Sequence, residues 1–251
     1  MVVGIEIFKR RFAALTDSYI LIGGSACDIN LNELGGVFRV TKDLDIVLCV
    51  EARTDEFARE FWRFIRDGGY SVAQRNIGEK QGKRLYYRFQ KPQIAEYPKM
   101  LELLTRKPES LELPSDIHVT PIPLSYDISS LSAILLDDNY YNFILEHRTI
   151  IDGVSLITLP ALIVLKAKAW MNLMDAKLRG ERILSGEIAK HKNDVARLTV
   201  FATRRPDMPE AIRQDMQEFL KRYDDESLDA KGLHLTESAA NIKQALHRLL
   251  E

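Results

Sequence analysis

The sequence predicts an α/β (α+β) core built on a mixed sheet, followed by a helical C-terminal domain. Three observations carry this prediction. Between Tyr19 and Leu159, short apolar runs alternate with glycine turns and brief helical stretches. Within them, Asp152-Gly153 is a dipeptide suited to a tight two-residue hairpin turn. From Pro160 the pattern changes: ALIVLKAKAWMNLMDAKL runs without a breaker until Gly180, with proline where a helix tolerates it best, in the first turn. Two domains are therefore expected, residues 1–158 and 159–251.

At 251 residues the chain can bury a substantial core. Its 35 Lys and Arg against 36 Asp and Glu give a net charge of −1, so no global field draws it to nucleic acid. Charge is uneven, however: residues 166–205 hold ten Lys and Arg against four Asp and Glu, an excess of six. Cys27 and Cys49 do not look like a disulfide pair, which suggests a reducing compartment. The sequence shows no signal peptide, no uncharged apolar run approaching about eighteen residues and no Cys/His zinc spacing. A soluble cytoplasmic protein is expected.

Taken in order, residues 5–16 have apolar positions at helical spacing. Tyr19 to Ile22 reads as a strand, broken by Gly23-Gly24-Ser25, and a short helix follows to about Asn32. Asp43 to Val50 is the next strand. Thr54 to Asp67 places Phe57, Phe61, Phe64 and Ile65 on one stripe, an amphipathic helix whose aromatic face is core, stopped by Gly68-Gly69. Ser71–Arg75 and Arg84–Gln90 read as strands around a Gly78–Lys83 turn, and Tyr97–Leu104 as another. His118–Leu124 is a strand interrupted by prolines, Ser129–Leu136 a short helix, and Asp138–Glu146 a further helix. Thr149–Leu159 is the hairpin. Helices are expected over about 186–204, 209–223 and 236–250.

Chemistry concentrates in the first of these stretches. Asp43 and Asp45 share one face of their strand, while Leu44, Ile46 and Leu48 share the other. Two such carboxylates repel unless a cation joins them, and oxygen-only ligands suit Mg²⁺ held jointly with substrate phosphates. The Gly23-Gly24-Ser25 turn lets backbone N–H groups approach an anion, and a helix starting near Ser25 would add its N-terminal dipole. A Gly-Gly turn alone is an ordinary turn, and Asp-x-Asp alone an ordinary strand edge; their order and proximity make the combination informative.

Gly23-Gly24-Ser25 followed by Asp43-x-Asp45 resembles the signature of the DNA polymerase beta-like nucleotidyltransferase superfamily. Within it, the chain looks most like the AbiEii/AbiGii toxin-type enzymes, relatives of the MenA/MenT toxins. The glycine turn and the acid pair stand farther apart than is usual there, so Leu31–Val40 is expected to carry a small insertion. The resemblance implies a third metal-holding carboxylate on a later strand. Glu102, central in its strand and facing with Met100 and Leu104, takes that role, with Asp116 in reserve.

On the long helix, Lys166 lies in a stripe with Leu162, Ala169, Trp170 and Leu173, which is costly for a lysine that reaches no anion. A lysine snorkelling from the rim is the plain alternative. Ile163-x-x-Lys166-x-x-Ala169 resembles the family's Leu-x-x-Lys-x-x-Ala motif and implies that Lys166 neutralises the triphosphate. Lys190, Asp194 and Arg197 share a face of the next helix, a pattern that by itself is a surface ion pair. The run resembles the family's last motif, with Asn193-Asp194 where two acids are common, and implies that Asp194 and Lys190 position nucleotide or acceptor.

The function implied is Mg²⁺-dependent transfer of a nucleotidyl group from an NTP to an acceptor hydroxyl. Asp43, Asp45 and Glu102 would hold two ions, and Gly23, Gly24, Ser25, Lys166 and Lys190 would bind the nucleotide. The basic 166–205 segment suits a polyanionic acceptor such as a tRNA 3′ end. A toxin role with a cognate antitoxin protein is implied by the family alone. Competing readings are nucleotidylation of a protein or a small molecule such as an antibiotic, and a non-catalytic nucleotide-binding module.

Overall fold

The structure is a computed structural model and describes residues 3–39, 41, 43–48, 54–77, 84–105, 119–121, 134–135 and 137–251. Cys49, the Gly78–Lys83 turn, Asp116, His118 and most of Ser129–Leu136 lie outside the described residues. Helix α1 (Ile5–Phe12) gives way to a 3₁₀ segment, Ala13–Ser18. The longer helix expected over 5–16 breaks at Phe12, whose φ of −108° leaves helical angles, and Leu15 departs again at −121°. Strand β1 (Tyr19–Ile22) runs directly into α2 (Gly23–Glu33), and β2 is Asp43–Leu48. Then come α3 (Thr54–Gly68), β3 (Ser71–Ile77), β4 (Arg84–Gln90), β5 (Met100–Thr105) and β6 (Val119–Pro121).

Helix α4 (Asp138–Glu146) precedes the hairpin β7 (Arg148–Ile151) and β8 (Val154–Ile157). Asp152 and Gly153 both have positive φ, 49° and 72°, as a two-residue turn matched to strand twist requires. The remaining helices are α5 (Leu159–Leu178), α6 (Ser185–Thr199), α7 (Glu210–Asp224) and α8 (Ala239–Leu250).

The strands form one mixed sheet in the order β6-β3-β4-β5-β2-β1-β8-β7. The pairs β1/β8, β2/β5 and β3/β6 are parallel and the others antiparallel. One face of the central strands is closed by aromatic rings. Phe8 and Phe12 of α1 meet Tyr19, Phe57 and Phe64, while Phe61 and Trp62 of α3 pack edge-on against Phe89. Such pairs are worth about 0.5–1.5 kcal/mol each beyond area burial. The aromatic stripe of α3 is thus core, since Phe57, Phe61, Phe64 and Ile65 are all buried. The opposite face of β2, β5 and β4 carries the charged residues described below.

The chain separates into two compact units. The sheet unit comprises Met1–Glu33, Arg39–Asp127 and Arg148–Ile157, and the helical unit Leu34–Phe38, Ile128–His147 and Thr158–Glu251. The division expected at 158/159 left α4 with the sheet. It belongs instead to the helices, because the buried Tyr140 of α4 donates to Asp215 of α7 at 2.8 Å. The segment expected as an insertion divides similarly: α2 continues to Glu33, and Gly36 lies against the ring of Phe201 in the helical unit. In that unit Trp170 of α5 sits edge-on to Phe219 and Tyr223 of α7, at 5.6 and 6.0 Å. Among the described residues, no helix is long and apolar enough to cross a membrane.

Candidate functional site

The turn after β1 is tighter than the sequence suggests. Helix α2 begins at Gly23 rather than near Ser25, and Gly23 takes φ +70°, a conformation that costs a side-chain-bearing residue dearly. It also has no room for a Cβ, which would overlap Oδ2 of Asp45. The Asp45 carboxylate therefore rests on the first turn of α2, where the helix dipole favours negative charge. The Ser25 hydroxyl, expected to face phosphate, is buried and donates to the backbone carbonyl of Asp43. A buried hydroxyl needs an acceptor, and the strand supplies one. Ser25 thereby ties the glycine turn to the start of β2. A Cβ on Gly24 would meet the side chain of Thr41, so the turn is walled on that side as well.

Register places the expected third carboxylate beside the pair. β2 and β5 run parallel with Asp45 directly opposite Glu102 and Asp43 opposite Met100. Neighbouring strands lie about 4.8 Å apart, so Asp45 and Glu102 are adjacent on one face. The next strand completes the row, with Arg88 of β4 directly opposite Glu102. Arg88 donates through both Nε and Nη2 to the same oxygen, Oε1, of Glu102, at 3.0 and 2.8 Å. Glu102 is 4% exposed and Arg88 13%, whereas Asp43 and Asp45 are only partly buried.

Among the described residues, no group of three or more His, Cys, Asp or Glu side chains is gathered closely enough to hold a metal ion. Glu102 is held by Arg88, while Asp43 and Asp45 are partly buried. Asp43, Asp45 and Glu102 offer only oxygen donors, the chemistry that suits Mg²⁺. Tyr19 and Tyr87 are buried among the aromatic rings on the other face of the sheet. Burial pushes Tyr19 and Tyr87 up to about 12.

The other expected residues lie in the helical unit. The apolar stripe around Lys166 does reach an anion, and it is internal: Nζ lies 3.0 Å from Oδ2 of Asp194, with side chains 1% and 0% exposed. Arg197 approaches the second oxygen of Asp194 at 3.9 Å. Lys190, expected beside Asp194, instead pairs at the surface with Glu187, 3.2 Å away. Lys168 reaches Asp215 at 2.6 Å and sits over the Tyr140 ring. Burial first, and then the charge of Asp215, raises the Tyr140 phenol.

The basic excess of residues 166–205 is also partly answered. Lys168 and Lys192 pair with Asp215 and Glu226 from beyond the segment, and Arg179 with Glu181. Lys177, Arg182, Arg204 and Arg205 are exposed and make no ion pair among the described residues.

Arg88 is the residue that sequence reasoning missed. Its signal was parity: in RLYYRFQ it falls on the polar side of a strand whose Tyr87 and Phe89 are apolar and buried. No protein-family model matches this chain, and no curated protein matches it either.

Proposed function

We propose that this chain is a Mg²⁺-dependent nucleotidyltransferase that moves a nucleotidyl group from an NTP to an acceptor hydroxyl, as the AbiEii-type resemblance implies. The observation that carries the proposal is the lateral placement of Asp45 and Glu102 on parallel neighbours, with Asp43 two residues upstream on the same face and the Gly23 turn against Asp45. When bound, Mg²⁺ would supply charge neutralisation and Lewis-acid activation at the reacting phosphate.

Asp43 and Asp45 would hold two Mg²⁺ ions, with Glu102 as the third carboxylate of the set. Gly23 and Gly24 keep the approach to Asp45 narrow enough for backbone N–H groups at the head of α2 to face a phosphate. Ser25 contributes by fixing that turn to β2. Lys166 enters as the cation for the triphosphate, and any phosphate it serves must compete with Asp194 for it. Asp194 and Lys190 remain proposed positioning groups for nucleotide or acceptor. The acceptor class favoured by the exposed Arg204 and Arg205 is RNA, with a tRNA 3′ end as the test substrate. A toxin role and an antitoxin partner are proposals from the resemblance alone.

The test is incubation of the protein with each labelled NTP, Mg²⁺ and a pool of RNA, protein or small-molecule acceptors. Label transferred by the wild type and lost in Asp45→Asn supports the proposal. Transfer that is absent for every acceptor overturns it in favour of a nucleotide-binding module, and transfer equal in Asp45→Asn overturns the assignment of the chemistry to this site.

A further inference from the structure

The residue at the end of the charged row has a role beyond those the resemblance supplies. Across three adjacent strands, Asp45, Glu102 and Arg88 occupy directly opposed positions on one face. The opposite face of the same strands is filled by Leu44, Ile46, Leu101, Leu103, Tyr87 and Phe89, all buried. A carboxylate at 4% exposure has lost most of its water and must be held by charge or hydrogen bonds. Arg88 meets that need in an uneven way. A guanidinium can grip a carboxylate fork-on-fork, one donor to each oxygen. Here both donors go to Oε1, at 3.0 and 2.8 Å, and Oε2 is outside the grip.

We infer that Arg88 is a positioning residue that fixes Glu102 by Oε1 and so presents Oε2 to the cation shared with Asp45. This rests on the nucleotidyltransferase reading above. The side chain of Glu102 is long enough to sweep several positions, and without Arg88 it would not stay beside Asp45. Arg88 also offsets part of the repulsion between Glu102 and the neighbouring Asp45 before a cation arrives. It touches neither metal nor substrate and acts through Glu102. Partners that orient metal ligands in this manner are worth about 10–100-fold in metal affinity or activity.

The experiment compares wild type, Arg88→Met, Arg88→Lys, Glu102→Gln and the Arg88→Met/Glu102→Gln pair in the full chain. Mn²⁺ affinity is measured by calorimetry in the absence of nucleotide, NTP transfer as a function of Mg²⁺, and stability by urea unfolding. Arg88→Met is expected to weaken Mn²⁺ binding and raise the Mg²⁺ needed for half-maximal rate by about 10–100-fold. Arg88→Lys, which keeps the charge but not the two-donor grip, falls between Arg88→Met and wild type. In the paired variant the loss does not exceed that of Glu102→Gln alone. Should Arg88→Met prove too unstable to assay, Arg88→Lys carries the comparison.

An Arg88 variant with wild-type Mn²⁺ affinity and Mg²⁺ dependence, whatever its stability, overturns the inference and leaves the transferase reading standing. So does a fully additive double variant. A wild type that neither transfers a nucleotide nor binds Mn²⁺ in an Asp45-dependent way removes both.

Discussion

Gly23 and Asp45 are mutually exclusive in space: any side chain at position 23 would occupy the volume filled by the Asp45 carboxylate. Gly23→Ala therefore faces two costs. Its φ of +70° strains a non-glycine residue by about 1–3 kcal/mol, and its methyl must push Asp45 aside. Gly35, at φ +73°, has nothing within 4 Å of a built Cβ and faces only the first cost. Both alanine variants are expected to lower the urea midpoint, but only Gly23→Ala should abolish nucleotidyl transfer. Equal transfer by the two would show that the Asp45 position does not matter to the chemistry.

Asn at position 43 or 45 should eliminate transfer while leaving the fold as stable as wild type or slightly more so. Removing one charge of an adjacent pair relieves repulsion, and the aliphatic register of β2 is untouched. Thermal unfolding without metal, run beside the transfer assay, separates loss of chemistry from loss of fold. A collapse of stability in either variant would mean that the pair is structural.

How much of this was legible in the sequence depends on the range of the interaction. The β1–glycine turn–β2 order, the α3 stripe and the Asp152-Gly153 hairpin are local patterns and stand where the residues put them. Glu102 could be placed on the correct face by parity alone, because side chains alternate strictly along a strand. Parity puts Arg88 on the polar side of β4 as well, but that it faces Glu102 follows only from the sheet order, which sets β4 beside β5. Lys166 announced the need for an anion but not its source, 28 positions away in the sequence on another helix. The grouping of α4 with the helices was hidden for the same reason, since Tyr140 meets Asp215 and Lys168, which are 75 and 28 positions away. The extent of α2 depended on the backbone of Gly23, and Gly-Gly-Ser does not reveal which residue opens the helix.

The Lys166–Asp194 pair gives the sharpest division between packing and catalysis. With both side chains almost wholly excluded from water, Lys166→Met takes from the buried Asp194 carboxylate its 3.0 Å cation and leaves Arg197 at 3.9 Å, a loss expected to cost about 3 kcal/mol. Adding Asp194→Leu should restore much of that loss, because an apolar pair of similar volume fits the stripe. Lys168→Met should cost less, its partner Asp215 being 31% exposed. Urea denaturation gives all three values. A Lys166→Met protein of wild-type stability with weakened NTP binding would show that the lysine works on the nucleotide.

His247 makes stability pH-dependent near neutrality. Its ring lies 2.7 Å from Glu251 and 2.9 Å from Asp224, and the hydrogen bond to Glu251, opposed by some desolvation and aided by Asp224, raises it above its ordinary value of 6.5. A folded value above the unfolded one means the stabilisation is fully present below about 6.5 and is lost as pH rises through the folded value. The effect is modest because the side chain is 34% exposed. Urea midpoints of wild type and His247→Gln should differ most below pH 6.5 and converge in mildly alkaline buffer. A gap that widens with rising pH would contradict the pairing.

The last prediction concerns the acceptor. The net charge of −1 gives RNA no global attraction, so any polyanion must find local cations that are not already neutralised. Lys166, Lys168, Arg179, Lys190 and Lys192 are each engaged by an acid within 3.2 Å. Arg204 and Arg205 are exposed, follow α6 directly and have no ion pair among the described residues. If RNA is the acceptor, each phosphate they neutralise releases condensed counterions, and affinity falls with salt by a slope of about 0.7–0.9 per contact on logarithmic axes. Reversing both to Glu should raise the apparent KM for RNA, flatten that slope by about two contacts and leave the KM for NTP unchanged. Transfer measured at several salt concentrations for wild type and the double reversal provides the slopes. RNA transfer indifferent to salt and to the reversal would move the acceptor to a protein or a small molecule.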